Sequence, residues 1–387
     1  MMQAVKRARW AVAAMFAANG LTMGAWAPQI PALMPKHQIG EGVLGFVILC
    51  LGLGAVLAML VSGRLISRFG GQRVLTGFAL ALIPTLPLIV LAPTLPLLVL
   101  AATLFGAIAG SMDVAMNAAA VQVERGLGRA IMSASHGFWS LGGFVGAGLG
   151  GWIMAHWGAL PQAVAVAMGV AVLVTLASRF LLPDAPAPEQ TTTGQRLLPR
   201  DLGLWLIGLM ALFCMVPEGA VMDWAAIYLG KELGADAFRS GLGFAFFAGA
   251  MAVMRFSGDM VRNRFGAVKT LRISGLAGAS GLLIAAVSPN DTLALAGFAL
   301  SGLGIANLVP VMFSAAGNHP GLPSGVAISA VTTVGYAGIL VAPAAIGGIA
   351  EHIGFRITYG VLAMLLLLVV AQAHRARNAD AARPPRA

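Results

Sequence analysis

Charge is scarce in this chain. Of its 387 residues only 10% are Asp, Glu, Lys or Arg, while 59% are hydrophobic; an ordinary soluble domain carries roughly 25% charged residues. A chain this poor in polar surface is not a soluble globular protein, and its composition places it in a membrane. Cysteine is nearly absent as well. Cys50 and Cys214 both fall inside apolar runs, which excludes a disulfide framework and a metal-binding pair and leaves two inert thiols. The six His residues are scattered singly, so no metal-ligand spacing exists. There is no phosphate loop and no nucleophile beside a base. Gly266-Ala267-Val268-Lys269-Thr270 is only superficially like the former, because the upstream glycine spacing is missing. No cofactor and no enzymatic activity are expected.

What the chain has in abundance is apolar runs of about 20 residues, each able to cross roughly 30 Å of hydrocarbon as a helix. Twelve are read, over 10–33, 43–63, 74–92, 95–121, 131–155, 160–182, 202–229, 239–257, 270–288, 292–317, 324–350 and 356–373. The first follows Lys6, Arg7 and Arg9 like a secretory signal, but it is too long for a signal core and is kept as a span. The net charge of +10 needs no nucleic acid to explain it, because the basic residues cluster between the runs. With the amino terminus inside, twenty Lys and Arg fall on the inner side and only Lys36, Lys231, Arg239 and Arg356 outside. That asymmetry predicts a multi-pass protein of a bacterial-type inner membrane with both termini cytoplasmic.

A Pro- and Thr-rich interval divides six spans from six, which predicts an N-terminal half over 1–182, a cytoplasmic linker over 183–200 and a C-terminal half over 201–387. The halves echo each other: Arg68-Phe69-Gly70 after the second span is matched by Arg264-Phe265-Gly266 after the eighth. The acids and amides deep in spans, Asn19, Asp113, Asn117, Glu218 and Asn307, with Asp223 shallower, lie on spans one, four, seven and ten. Such spacing suits a duplicated bundle whose every third helix lines a wet cavity.

At about 100° per residue, Gly106, Gly110, Asp113, Asn117 and Glu124 share one stripe of the fourth span, about 60° wide, with Leu104, Ile108 and Met112 facing away. An ionisable residue in a membrane span reads as part of a substrate or ion pathway; the plainer reading is an Asp paired with Asn117 for packing. In the seventh span Glu218 and Asp223 stand about 140° apart on a regular helix, so both reach one cavity only if Pro217 and Gly219 distort it. Glu218 is favoured, on a face with Ala211, Cys214, Met222 and Ala225, while Asp223 can snorkel. The Gly-rich fifth span allows close approach of a neighbouring helix, fixed or sliding. His136 and Trp139 open that span, where an interfacial His is the simpler reading. Trp26, Trp224 and Tyr336 could stack on a ring-bearing solute, or serve as interface anchors.

These residues resemble the major facilitator superfamily of secondary transporters. Gly63-Arg-Leu-Ile-Ser-Arg-Phe-Gly-Gly-Gln-Arg73 is similar to its signature loop, with Ser67 where the family usually has Asp. Glu124 then looks like the family's acidic partner for Arg68 and Arg73 at a cytoplasmic gate. Gly142 to Gly151 resembles its Gly-rich fifth-helix motif, with Ala147 in place of Pro. Asp113-Val-Ala-Met-Asn117, Val123-Glu-Arg125, His136-Gly-Phe-Trp-Ser140, Glu218-Gly-Ala-Val-Met-Asp-Trp224 and Gly335-Tyr-Ala-Gly338 narrow this to the rhizopine-transporter-like branch, distantly similar to fucose permeases. The resemblance implies an all-α membrane protein of twelve helices in two pseudo-symmetric halves. It implies proton-coupled transport of a sugar- or inositol-like solute by alternating access, with Asp113 carrying the proton and Glu218 the next candidate. Asn19, Asn117, Asp223, Trp224, Asn307 and Tyr336 are the expected cavity residues. The expected partners are the solute, protons and the bilayer, without nucleic acid, around a monomer. Two alternatives stand beside this reading: an exporter of apolar compounds on the same fold, and a transport-inactive membrane sensor.

Overall fold

The computed structural model describes residues 2–183, 199–235 and 237–380. Most of the expected linker, 184–198, lies outside the described residues. Those described form helices and no strand. In chain order they are α1 (Met2–His37), α2 (Glu41–Phe69), α3 (Gly71–Leu82), α4 (Thr85–Leu91), α5 (Leu95–Leu127), α6 (Met132–Trp157) and α7 (Ala159–Ser178). After the linker come α8 (Leu202–Leu233), α9 (Ala237–Phe265), α10 (Ala267–Val287), α11 (Asp291–Ile305), α12 (Leu308–Gly317) and α13 (Ser324–Gln372). A 3-10 segment over Ala373–Asp380 ends the described chain.

Eleven stretches among the described residues are long and apolar enough to cross a membrane. The expected first span is not one of them: α1 is a 36-residue helix, but Asn19, Gly20, Thr22 and Gly24 lower its mean hydropathy. Other boundaries also differ from expectation. The third span is two helices, α3 and α4, interrupted at Ile83 and Pro84, and the tenth is α11 and α12, interrupted at Ala306 and Asn307. The eighth span continues past 257 to Phe265, because the polar residues that close the apolar run stay helical. Spans eleven and twelve are two helices within α13 that meet at a kink at Gly354 (φ 81°, ψ 160°), where the backbone is not helical.

The chain divides into two compact units, Met1–Ile131 with Ser135–Pro199 and Pro320–Ala330, and Met132–Ala134 with Arg200–His319 and Val331–Ala387. In the first, a Cβ placed on Gly106 of α5 would stand 1.9 Å from the carbonyl oxygen of Leu51 on α2. In the second, Gly302 of α11 meets the carbonyl of Phe247 on α9 in the same way, at 2.2 Å. The displacement from Leu51 and Gly106 to Phe247 and Gly302 is the offset between the two Arg-Phe-Gly runs. Gly70 (φ 87°) and Gly266 (φ 85°), then Gly158 (φ 89°) and Gly354 (φ 81°), are related by that offset too. These left-handed corners favour glycine. The duplication is therefore written in backbone geometry as well as in composition.

Side chains exposed from the bundle are large and apolar at four-residue spacing. Val164, Met168, Val172 and Leu176 line α7, and Leu53, Leu57 and Val61 line α2. Such stripes suit lipid contact. The close helix contacts are made by glycine. α6 packs on α1 through Gly142 against the Ala17 carbonyl and Gly146 against that of Leu21, both 2.2 Å from an added Cβ. At the far end of the chain the 3-10 segment is tied down by Arg262 of α9, only 2% exposed. Its guanidinium donates to Ser314 Oγ at 2.8 Å and to the Ala379 carbonyl, while Asp380 accepts from the Ala267 N–H that opens α10 at 2.6 Å.

Candidate functional site

In the first unit the polar residues of α1, α5 and α6 converge. Asn117 is fully buried and Asp113 is 5% exposed. Gly106 and Gly110 share their stripe and seat α5 on α2; Leu104 points outward as expected, but Met112 is buried, because the middle of α5 is enclosed on every side. Two amides reach carbonyl oxygens one turn apart on α5. Asn19 of α1 donates to Ala109 O at 3.1 Å, and Asn117 donates to Asp113 O at 2.9 Å. Each amide oxygen then meets a ring of α6: Trp139 Nε1 donates to Asn19 Oδ1 at 2.9 Å, and His136 Nε2 lies 3.2 Å from Asn117 Oδ1. With Asn117 Nδ2 donating to backbone, its Oδ1 is the atom that faces the His136 ring. Phe16 holds that imidazole edge-on, ring centroids 5.1 Å apart. His136, expected as an interfacial residue, and Trp139 are half-buried and join this cluster. Their signal in sequence was spacing: His136 and Trp139 lie three apart and so share a face of α6.

The second unit holds a different arrangement. α8 stays helical through Pro217, so Glu218 and Asp223 diverge: Asp223 is exposed and Glu218 half-buried. Ala211, Cys214 and Ala225 of the Glu218 face are buried, whereas Met222 turns outward. Glu218 Oε1 pairs with Arg255 Nη2 of α9 at 3.0 Å. Arg255 is 8% exposed and lies in Leu242–Phe265, a stretch long and apolar enough to cross a membrane. Asn307 occupies the break between α11 and α12, 1% exposed, with neither amide atom hydrogen-bonded. Trp224 lies over Gly347 of α13, its ring 5.7 Å from Phe355, with a buried indole N–H that has no hydrogen-bond partner. Tyr336 is half-buried on α13, and Trp26 packs edge-on against Phe105 at 6.0 Å.

At the expected gate, the buried Glu124 carboxylate accepts from the Ile131 N–H at 2.9 Å, closing the turn between α5 and α6. Arg68 lies over the ring of Phe69, 5.2 Å from its centroid. Arg73 lines a shallow surface groove with Gln72, Thr76, Ser178 and Arg179. One carboxylate in the second unit is not among the candidates read from the sequence. Asp259 of α9 accepts from the N–H groups of Ser133 at 2.9 Å and Ala134 at 2.8 Å, capping the first turn of α6 where a helix favours negative charge. At the offset-related place in the other half stands Gly63 of α2, whose missing side chain lets Val326 and Ser329 of α13 come within 2.8 and 3.0 Å of an added Cβ. Ser67, in the position where Asp was looked for, bonds its own helix at Gly63 O, 3.0 Å away.

Eleven stretches long and apolar enough to cross a membrane, with acids, amides and an arginine buried among them, define a multi-pass membrane protein among the described residues. The chain belongs to the Major Facilitator Superfamily, whose family model matches residues 12–263 and 209–386. It is 38% identical over 357 residues to an uncharacterized MFS-type transporter of Yersinia pestis, covering 92% of each chain. It is 33% identical to the membrane protein MosC of Rhizobium meliloti, covering 93% of this chain and 86% of that one. The crystal structure of the E. coli fucose:proton symporter FucP superposes with a TM-score of 0.75 over 95% of this chain and 98% of that one, at 15% identity.

Proposed function

We propose that the protein is a proton-coupled secondary transporter of a small hydroxylated solute, sugar- or inositol-like, working by alternating access of its two halves in an inner membrane. The observation that carries this reading is the polar cluster on α1, α5 and α6, in which the buried Asp113 lies on α5 between Ala109 and Asn117, two amides bond the carbonyls of Ala109 and Asp113, and an imidazole and an indole of α6 meet those amides. Proton symport by the fucose transporter of like fold supports it. A charged carboxylate in a span costs at least about 2.5 kcal/mol unless solvated or paired, and protonation removes that cost. A neutral Asp113 therefore passes more readily through a closed intermediate, which ties its proton to the conformational change. Asn117 and Asn19 orient the site, and Glu218 is the second carboxylate. Glu124, Arg68 and Arg73 are proposed to meet when the cytoplasmic side closes.

Asp113→Asn mimics the neutral form permanently. In proteoliposomes it should abolish gradient-driven accumulation and leave solute counterflow largely intact. A folded Asn variant that still accumulates solute against a gradient removes Asp113 from the mechanism.

A further inference from the structure

We propose that the groove between α3 and the end of α7 binds an anionic phospholipid, with the phosphate on Arg73 and Arg179 and an acyl chain running past Gly77 and Leu80. The site lies wholly within the first unit. It goes beyond the transporter reading above and does not rest on it. The groove, of about 570 Å³, is within the roughly 300–1,000 Å³ usual for small-molecule sites. α3 supplies Arg73, Thr76, Gly77 and Leu80, which share a face at three- and four-residue spacing, and the end of α7 supplies Ser178 and Arg179.

Basic residues at helix ends are expected from topology alone. These two differ in what surrounds them. None of the described residues that line the groove is acidic. Among the described residues neither guanidinium has an ion pair or a hydrogen bond, whereas Arg239, Arg255 and Arg262 are each paired with a carboxylate. Two exposed cations that converge on one groove without an acid leave a place for an anion. Guanidinium groups suit phosphate in particular, because they meet its oxygens through parallel N–H bonds. The Ser178 hydroxyl donates to the Thr175 carbonyl at 3.2 Å, so its oxygen keeps lone pairs that can accept from a headgroup hydroxyl.

The lower part of the groove selects a lipid over a phosphate in solution. Leu80 stands seven residues from Arg73, about 10 Å along a helix, inside Gly71–Leu91, a stretch long and apolar enough to cross a membrane. It is 49% exposed. Between the two, a Cβ placed on Gly77 would meet nothing within 4 Å, so the groove is open at that level. On α7 the exposed Val172 and Leu176 lead up to the same end. A cationic rim above an apolar trench fits a charged head with acyl chains below it, the pattern by which basic pockets between membrane helices hold acidic lipids. A soluble anion would use the rim alone.

The test titrates dioleoylphosphatidylglycerol into the full-length purified protein in detergent and follows thermal unfolding, with dioleoylphosphatidylcholine and glycerol 3-phosphate as the other probes. Phosphatidylglycerol should raise the melting temperature saturably, the same chains on a zwitterionic head much less, and the soluble phosphate not at the same headgroup concentration. Arg73 is also proposed for the gate, so the first variant is Arg179→Gln. It should weaken phosphatidylglycerol binding about fivefold, and Arg73→Gln/Arg179→Gln about 25-fold. Arg129→Gln removes the same charge from the exposed turn between α5 and α6 and should bind as the wild type does. Gly77→Leu fills the trench at a helical position where leucine is preferred to glycine; it should fold at least as stably and bind the lipid about tenfold more weakly. The inference is overturned if phosphatidylcholine stabilises equally, which makes the effect general solvation by lipid, or if glycerol 3-phosphate matches phosphatidylglycerol, which makes the site one for soluble anions. Wild-type binding by Arg179→Gln or Gly77→Leu, or equal losses in Arg129→Gln and Arg179→Gln, overturns it too. So does a gain of more than about fivefold in Asp184→Asn/Glu189→Gln, which would make the linker's own acids the occupant.

Discussion

Asn19 stands between two helices and depends on both. Its amide donates to Ala109 O on α5 and accepts from the Trp139 indole on α6, so its orientation is set by a ring at the opening of the fifth span. Trp139→Phe keeps most of the ring volume and removes the donor. The buried Asn19 oxygen then loses its bond, which costs about 1–3 kcal/mol. We expect a melting temperature lower by several degrees, with weakened solute binding because Asn19 is freed to turn; unchanged stability and binding would mean that the indole bond orients nothing. Asp113, Asn117 and Asn19 were legible in sequence because a polar residue is conspicuous in an apolar run. Arg255 was not, since a basic residue near the end of a run looks like a loop charge until the helix is seen to continue and its partner, Glu218, comes from another span. Asp259 was hidden for the same reason.

Among elements, α6 shows how glycine decides helix contact. Gly20 and Gly24 of α1 meet the carbonyl oxygens of Trp139 and Gly143 at 2.0 Å from an added Cβ, and Gly142 answers from α6. Gly148, on the same helix, has nothing within 4 Å. Gly142→Val should destabilise by at least about 1–3 kcal/mol through overpacking against backbone that cannot yield. Gly148→Ala should be neutral or stabilise by up to about 1 kcal/mol, the helix preference for alanine over glycine. Equal effects from both would show that the α1 and α6 contact is slack in solution. The glycine-rich run announced a close contact in sequence, but not its partner, because any helix with small residues would have served. The breaks were less legible still. Asn307 reads as a polar residue within a span, and only the interrupted backbone at Ala306 makes it the cap of α12.

For the whole molecule, the parity of crossings links α1 to the far end of the chain. Eleven stretches qualify as spans on length and composition, and α1 is a helix of 36 residues that does not. If α1 lies along the surface, an odd number of crossings puts the termini on opposite sides. Lys6, Arg7 and Arg9 would then sit across the membrane from the basic clusters that follow α2, among them Arg64, Arg68 and Arg73 and, after an even number of further crossings, Arg179 and Arg200. The excess of Lys and Arg on cytoplasmic segments argues against that, and removing Arg255 from the inner count leaves the asymmetry almost whole. The buried contacts of α1 argue the same way. Asn19 and Gly24 pack among the membrane helices α5 and α6, a depth that a helix lying on the surface does not reach. We therefore expect α1 to be the twelfth crossing, with both termini in the cytoplasm. A carboxyl-terminal alkaline phosphatase fusion should be inactive and a fluorescent-protein fusion at the same place bright. A single cysteine at the amino terminus should likewise resist a membrane-impermeant label added from outside; its labelling, with the carboxyl terminus inside, would take α1 out of the membrane, and with it the packing of Asn19 on α5.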